Sequence, residues 1–180
     1  MAKKNDYQPS QAEVDLLIAM PKKVIFSGVN WKASTDGRTP VWLKMDMQAF
    51  DMNGLPLNGV LILLHWRKPL SKDVDVAKLS FIIFLHNRRI FAIDPHPNEK
   101  PHRNRNALNH VDFVAVTRGP HYHQYFESVG EDVAFNLCTD IAPDDLQAYW
   151  NYFCERLNIK YTGSIPLPNQ EESGQLSWEM

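Results

Sequence analysis

Residues 78–95, which read KLSFIIFLHNRRIFAIDP, constrain the fold of this chain more than any other segment. Two apolar runs, rich in β-branched and aromatic residues, flank the polar HNRR, and Pro95 ends the second run. Two such runs joined by a short polar connection are typical of a β-hairpin. Because a hairpin pairs its strands antiparallel, the chain is expected to build an antiparallel sheet.

Further strands are indicated on both sides of this hairpin. Between residues 22 and 67 the apolar period is close to two, most clearly in PVWLKMDMQAF, and turn residues precede VLILLHW. This pattern predicts three strands in sequence. After the hairpin, HPNEKPHRNRNALNH has no apolar periodicity. A loop of that length inside a compact domain is often functional.

A helix is predicted near each end of the chain. Ser10 and Glu13 form a capping-box pattern before VDLLIAM, and Pro21 follows, which predicts a helix over residues 11–20. Near the other end, PDDLQAYWNYFCERLNI carries one apolar stripe at helical spacing. The predicted class is α+β, a mostly antiparallel β-sheet with a short N-terminal helix and a C-terminal helix packed on it. The apolar stripe consists of Leu146, Tyr149, Trp150, Phe153 and Leu157.

The composition of the 180 residues, 44% hydrophobic and 22% charged, is ordinary for a soluble globular protein. We expect one globular α+β domain over residues 1–161 and an extended or disordered tail over residues 162–180. The net charge of -2 does not predict nucleic-acid or membrane binding. The segment 88–105 is nevertheless basic, with five basic residues against two acidic ones. The first residues lack the apolar run of a signal peptide and GVLILLHW is too short to cross a bilayer, so we expect a cytoplasmic protein without membrane contact.

The stretch GPHYHQYFE places four proton-active side chains at alternate positions, His121, His123, Tyr125 and Glu127. If this stretch is a strand, all four project from the same face, with neighbours roughly 7 Å apart. That spacing lets them share one ligand, one metal ion or one phosphate group.

Two further groups of such residues precede this row. Asp94 and His96 stand two positions apart in AIDPHP. The segment PHRNRN then brings His102, Arg103, Asn104 and Arg105.

Three interpretations of these residues are open. A divalent metal site would need several of them to converge. His121 and His123 are the candidate pair of ligands, with Asp94 or His102 as the third, and histidine with a carboxylate suits zinc or manganese. A metal-free, ribonuclease-like site would use histidines as general acid and base and an arginine for the phosphate. In the third, the histidines are half-exposed strand residues stabilised by their cross-strand neighbours.

The segments FAIDPHPNEKPHRN and GPHYHQYFE resemble a family of small uncharacterised bacterial and phage proteins. In that family a strand ends in Leu-Asp or Ile-Asp, and a Pro-His-Arg/Thr-Asn segment follows. A Gly/Cys-Pro-His-x-His-x-Tyr strand comes next, and a terminal helix ends in residues like Cys-Asn-Ile, which correspond here to residues 157–159. These features stand here at Ile93-Asp94, at residues 101–104 and at residues 119–125, and the resemblance covers residues 79–160. The segment between Asp94 and His102 is longer and more polar than the usual connection.

A similar arrangement of motifs occurs in small toxins of bacterial toxin–antitoxin modules, and this similarity implies an activity on RNA or nucleotides. The hypothesis is a toxin- or defence-type hydrolase. Its catalytic residues would be His121, His123, Asp94, His102 and Tyr125, and its substrate-binding residues Arg103, Asn104, Arg105 and Glu127.

The alternative is a non-catalytic interaction protein, either a phage-encoded inhibitor or an antitoxin-like partner. The row would then be a structural seam, and the partner a cognate antitoxin or a phage or host protein. The sequence leaves open whether copies of the chain form a homo-oligomer.

Overall fold

The computed structural model describes residues 7–35, 41–69, 77–95, 101–107, 112–142 and 144–168. In chain order the elements are α1 (Gln11–Ala19), β1 (Lys22–Ile25), β2 (Lys32–Ala33), β3 (Leu43–Phe50), β4 (Pro56–Arg67), β5 (Lys78–Leu85), β6 (Arg88–Asp94), β7 (Pro101–Arg103), a 3-10 helix (Arg105–Ala107), β8 (Val116–Arg118), β9 (His121–Phe126), β10 (Glu131–Asn136), α2 (Leu146–Arg156) and β11 (Ile159–Thr162).

One large sheet dominates the fold. Its strand order is β10-β9-β6-β5-β4-β3-β1-β11, and β2 pairs with β3. Among the described residues, the strand pairs of this sheet are antiparallel except for β1 with β11. The α+β class and the mostly antiparallel sheet predicted from the sequence are therefore confirmed.

A second sheet consists of β7 and β8 alone, paired antiparallel. We call β7, the 3-10 helix and β8 the arm. β7 and the 3-10 helix arise within the segment that the sequence indicated as a loop or excursion, and β8 follows that segment. Residues 96–100 and 108–111, and with them His96, lie outside the described part of the chain.

The predicted hairpin is formed by β5 and β6. Its two turn residues, His86 and Asn87, both have left-handed backbone angles, with φ of 46° and 66°, as a two-residue hairpin turn of the primed type requires. The register shifts between Ile83 and Phe84, so that Ile90 becomes an extra residue in β6. Such a bulge changes which face the following side chains take, and it puts Arg89 on the face that carries Asp94.

Both predicted helices are confirmed. The capping box of α1 is formed between Ser10 and Glu13. The helix α2 covers one face of the sheet, where Phe81 stacks on Tyr149 and Phe91 contacts Phe153. The five residues of the predicted stripe are buried, at 7% exposure or less.

Lys22 is fully buried and joins the ends of the two helices. Its Nζ donates to the carbonyl of Met20 at 2.8 Å and to that of Ile18 at 3.4 Å, at the end of α1. It also donates to the carbonyl of Leu157, the cap residue of α2. A cation is stabilising at a helix C-terminus, although burial lowers the pKa of Lys22 to about 8.

The end of the chain takes more part in the fold than the sequence indicated. Thr162 belongs to β11, which pairs with β1. Beyond it, Ile165 is buried, and the carbonyl of Pro166 accepts a hydrogen bond from the Trp31 indole at 2.8 Å. The rest of the predicted tail, residues 169–180, lies outside the described part.

The helices in the described residues are too short or too polar to cross a membrane.

Candidate metal centre

The row in β9 is extended, and three of its four members lie on one buried face. His121, His123 and Tyr125 are 1%, 3% and 1% exposed. Glu127 follows the end of β9 and is exposed. Its carboxylate accepts the backbone N–H of Gln11 at 2.8 Å, so this predicted substrate-binding residue holds the first turn of α1.

His123 lies between two carboxylates from the two neighbouring strands. Its Nδ1 is 2.7 Å from Oδ2 of Asp132 on β10, and its Nε2 is 3.3 Å from Oδ2 of Asp94 on β6. The contact between Nε2 and Asp94 is close enough for an ion pair, but it does not meet the geometry of a hydrogen bond. Burial alone would lower the pKa of His123, but the two carboxylates outweigh it and raise that pKa above its ordinary value.

The two carboxylates are ionised for the same reason. Burial alone would raise the pKa of Asp94, but His123 and the Ser80 hydroxyl hold it well below its usual range. Ser80 Oγ donates to Asp94 at 2.6 Å. The pKa of Asp132 is also lowered, because His123 and Arg89 outweigh the effect of burial. Arg89 Nη2 donates to Asp132 at 2.6 Å.

His121 has a different environment from His123. Its Nδ1 lies 2.9 Å from the carbonyl oxygen of Gly119. A carbonyl can only accept, so this contact requires a proton on Nδ1. The neutral tautomer then carries its lone pair on Nε2. Burial is the main cause that lowers the pKa of His121 to about 4, so the ring is neutral at pH 7.

The arm brings a third imidazole to this pair. The ring of His102 in β7 lies 4.9 Å from that of His121 and 4.8 Å from that of His123, measured between centroids. One nitrogen from each of the three rings lies within 4.8 Å of the others. In a zinc site with bonds of about 2.0–2.1 Å, the nitrogens lie roughly 3.4 Å apart, so small ring rotations suffice. The cluster of His102, His121 and His123 could therefore hold a metal ion.

Asn104 fixes the arm to the large sheet. Its buried side chain donates to the carbonyls of Val114 and Ala134 at 2.7 and 2.8 Å and accepts the N–H of Ala134 at 2.8 Å. The amide predicted to bind substrate thus makes three hydrogen bonds to backbone groups. Because Asn104 lies two residues after His102, its hydrogen bonds also help to hold His102 in place.

An open cleft of about 250 Å³ leads from the cluster to the surface. His102 and His123 lie at its base, and Arg103 and Arg105, both exposed, stand at its rim. The remaining lining residues are Arg89, Asn104, Ala107, Glu131 and Asp132.

The structure thus brings most of the predicted site residues together and separates two of them. His102, His121, His123 and Asp94 meet in one cluster, and Arg103 and Arg105 of the arm line the cleft beside it. Tyr125 does not line the cleft. It packs in the hydrophobic core, and its buried hydroxyl has no hydrogen-bond partner among the described residues. Glu127 is bound to α1.

Two residues of the site were not predicted from the sequence, Asp132 and Arg89. Asp132 had a weak signal: the turn after Phe126 brings the next strand back antiparallel, so that an acidic residue near its start faces the row. Arg89 had none, because simple alternation from Asp94 assigns it to the opposite face. The bulge in β6 reverses that assignment.

Comparison with protein-family models, with curated proteins and with solved structures finds no match.

The chemistry available at the cluster follows from its donor atoms. Neutral imidazoles with a neighbouring carboxylate suit zinc, manganese and iron among the divalent metals. Three protein ligands with an open side are typical of a catalytic metal site, whereas structural zinc sites are closed by four. The cleft that carries Arg103 and Arg105 opens beside His102 and His123.

Proposed function

We propose that this protein is a metal-dependent hydrolase that cleaves phosphate esters of RNA or nucleotides. The observation that carries this proposal is the convergence of His102, His121 and His123 within 4.8 Å at the base of an arginine-bearing cleft. Two buried imidazoles and a half-buried one have no packing advantage over apolar side chains, whereas together they are a ready set of metal ligands.

The hydrogen bonds behind the cluster support metal binding. His121 is bound through Nδ1 to the Gly119 carbonyl, and His123 through Nδ1 to the Asp132 carboxylate. Metal-binding histidines usually bind such a carbonyl or carboxylate with their second nitrogen, which fixes the ring and directs the other nitrogen to the metal. Both rings of β9 have this arrangement.

Asp94 adds the negative charge that a divalent cation requires. Without metal, the Nε2 proton of His123 faces Asp94 at 3.3 Å. A metal ion at that nitrogen would replace the proton and would keep the same carboxylate as a neighbour or a fourth ligand. The three neutral imidazoles and one carboxylate would then leave one positive charge of a divalent ion uncompensated, which favours an anionic substrate.

The reaction class follows from these groups. A divalent ion in such a site lowers the pKa of a bound water molecule and so supplies a nucleophile near neutral pH. The water oxygen forms a bond to phosphorus, the phosphorus–oxygen ester bond breaks, and the leaving oxygen takes up a proton. Arg103 and Arg105 would offset the negative charge that builds up on the phosphate oxygens.

The proposed role as a toxin- or defence-type protein, with a cognate protein partner, is supported by motif similarity. The segments concerned contain Asp94, His102 and the two histidines of β9, and these are the residues that meet in the structure.

One experiment separates the alternatives. Purified protein would be stripped of metal, reloaded with zinc or manganese and analysed for bound metal by mass spectrometry. An RNA-cleavage time course would then compare wild type with the His121→Ala/His123→Ala double variant, with and without chelator. The matched control is His65→Ala, since His65 lies on β4, outside the cluster. Circular dichroism would first show that all three proteins are folded.

The proposal predicts bound metal in wild type and in the His65 variant, and cleavage that is lost both on chelation and in the double variant. Cleavage that survives chelation but not the double substitution would favour the metal-free mechanism, with neutral His121 as base and protonated His123 as acid. Absence of bound metal and of cleavage, together with a less stable double variant, would make the row a structural seam. The interaction-protein alternative would then stand.

A further inference from the structure

The rim of the cleft carries two arginines, Arg103 and Arg105. Arg103 ends β7 and Arg105 begins the 3-10 helix, and both are exposed. Among the described residues, neither forms an ion pair with an acidic side chain. Arg89, by contrast, is bound to Asp132 at 2.6 Å. Within the part of the chain that the structure describes, the two rim arginines can therefore meet a ligand without breaking an ion pair, whereas Arg89 cannot.

The charge of the cleft is opposite in sign to that of the chain. Three arginines line it against two acidic residues, Glu131 and Asp132, while the whole chain has a net charge of -2. This excess is present before any metal ion or protonated histidine is counted. A cleft lined by more arginines than acidic residues, in a chain of net negative charge, attracts anions locally.

The arm holds these two arginines in a fixed relation to the histidine cluster. Asn104, between them in the sequence, is anchored to β10 by hydrogen bonds to the N–H and the carbonyl of Ala134. His102, on the other side of Arg103, belongs to the cluster. One short rigid segment thus supplies both a metal ligand and the anion-binding guanidinium groups.

The cleft is small. Its volume of about 250 Å³ is below the ~300–1,000 Å³ that is usual for small-molecule sites. Proteins that bind the interior of a single strand present a long basic groove for roughly 4–16 nucleotides. A cleft of the observed size admits a phosphate group with part of one nucleotide.

We propose that the cleft recognises a terminal phosphate, the dianion of a phosphomonoester, with Arg103 and Arg105 as its ligands. This rests on the proposed function and names its substrate class. The guanidinium fork binds two phosphate oxygens at once, and a terminal phosphate offers three that carry no further substituent. In the reaction, water adds its oxygen to phosphorus, the ester bond to the terminal phosphate breaks, and the released alcohol takes a proton. The products are the alcohol and inorganic phosphate.

Two sources supply this chemistry, a mononucleotide and the phosphorylated end of a strand. The probes are therefore inorganic phosphate, adenosine monophosphate, a short RNA with a 5′-phosphate, and the same RNA without it. Binding is measured by isothermal titration calorimetry on the metal-loaded protein and again on the metal-free protein. Release of inorganic phosphate is measured separately.

The test variant is the Arg103→Gln/Arg105→Gln double variant, and the matched control is Arg118→Gln. Arg118 is exposed on β8 of the same arm, paired with Pro101, and does not line the cleft. Loss of the charge-assisted hydrogen bonds from both guanidinium groups should weaken binding of phosphorylated probes by about 100-fold or more in the double variant. The control should bind like wild type.

The expected result is that phosphorylated probes bind in preference to the unphosphorylated RNA and that this preference depends on the rim arginines. Comparison of the nucleotide with the phosphorylated RNA then identifies the source. Equal binding of the two RNAs, or a preference that persists in the double variant, would overturn the inference. Arginine-dependent binding with no release of phosphate would retain the recognition of a terminal phosphate and contradict the proposed hydrolase instead.

Discussion

At the scale of single residues, the decisive contact is the one between His123 and Asp132. The carboxylate at 2.7 Å orients the imidazole and increases its electron density, while Asp94 on the other side stands where a metal ion would bind. The two aspartates therefore have different roles, although both contact the same ring. Asp132 is a positioning residue, and Asp94 is a candidate ligand.

We predict that Asp132→Asn weakens metal binding without removing a ligand. Loss of such a supporting carboxylate typically lowers metal affinity by about 10- to 100-fold. Competition with a coloured chelator measures the affinity, and Asp46→Asn is the control, since Asp46 is exposed on β3. An unchanged metal affinity in Asp132→Asn would mean that the Asp132 carboxylate serves only as the ion-pair partner of Arg89.

The sequence supplied the chemistry of the site but not all of its geometry. His121 and His123 could be assigned to one face because a strand alternates. The contribution of His102 depends on the arm folding back across the sheet, which no local pattern encodes. Arg89 could not be assigned to the site, because the bulge at Ile90 puts its side chain on the face opposite to the one that simple alternation predicts.

At the scale of elements, the arm is held to the site by one side chain in particular. Asn104 makes three hydrogen bonds, two of them to Ala134 of β10. Since the same segment carries His102, the position of this candidate ligand depends on the Asn104 amide two residues further along the chain.

We predict that Asn104→Ala lowers both stability and metal affinity. The substitution leaves buried backbone groups unpaired, at a cost of about 2–3 kcal/mol, and it loosens the segment that holds His102. Urea unfolding and the chelator competition measure the two effects. Asn151→Ala is the control, because Asn151 is exposed on α2 and its loss should change stability by less than about 0.5 kcal/mol. Metal affinity unaffected by Asn104→Ala would show that the arm keeps its place by other contacts.

The buried Lys22 also connects two elements, because its ammonium group donates hydrogen bonds to carbonyls at the ends of both helices. We predict that Lys22→Met destabilises the protein by about 2–3 kcal/mol, because it leaves carbonyls at two helix ends without a donor. Lys23→Met, in which the neighbouring lysine loses one exposed contact with Met52, should be nearly neutral. Similar urea midpoints for the two variants would contradict this role.

The same lysine gives a pH dependence of known sign. Its pKa is lowered from 10.5 to about 8 in the folded protein by burial. At a pH between these two pKa values, Lys22 is protonated to a greater extent in the unfolded chain than in the folded protein. The free energy of unfolding therefore rises with pH in this range. We predict that the stability of wild type relative to Lys22→Met increases between pH 8 and pH 10, as followed by urea unfolding. A flat or falling difference would contradict the lowered pKa.

Local patterns predicted the elements better than their long-range partners. The hairpin of β5 and β6 and the apolar stripe of α2 depend on residues close in sequence, and both were predicted. The pairing of β11 with β1 joins the two ends of the described chain. This pairing was not predicted. The four residues IKYT are too few to show the alternation of a strand, and no local pattern identifies a pairing partner so distant in sequence.

At the scale of the whole molecule, the cluster links three separate parts of the chain, namely β6, the arm and the hairpin of β9 and β10. A metal ion bound there ties them together only in the folded state. Binding must therefore add to the free energy of unfolding.

We predict that zinc or manganese raises the melting temperature of metal-stripped wild type. At a free metal concentration one hundred times the dissociation constant the gain is about 2.7 kcal/mol, which corresponds to roughly 5–10 °C for a chain of this size. Differential scanning fluorimetry measures the shift, and the His121→Ala/His123→Ala variant should show none. An equal shift in that variant would place the binding elsewhere.

The parallel pairing of β1 with β11 limits the order in which the strands can pair during translation. Four residues of β1 pair with β11, whereas a single pair joins β1 to β3. The ribosome adds about 5–20 residues per second, so β1 emerges early and stays without its main partner until β11 has been synthesised. The strands around the histidines leave the ribosome before that moment and can pair through their own hairpins. The strands that carry the histidines can therefore pair during translation, whereas the sheet edge formed by β1 and β11 can form only after β11 has emerged.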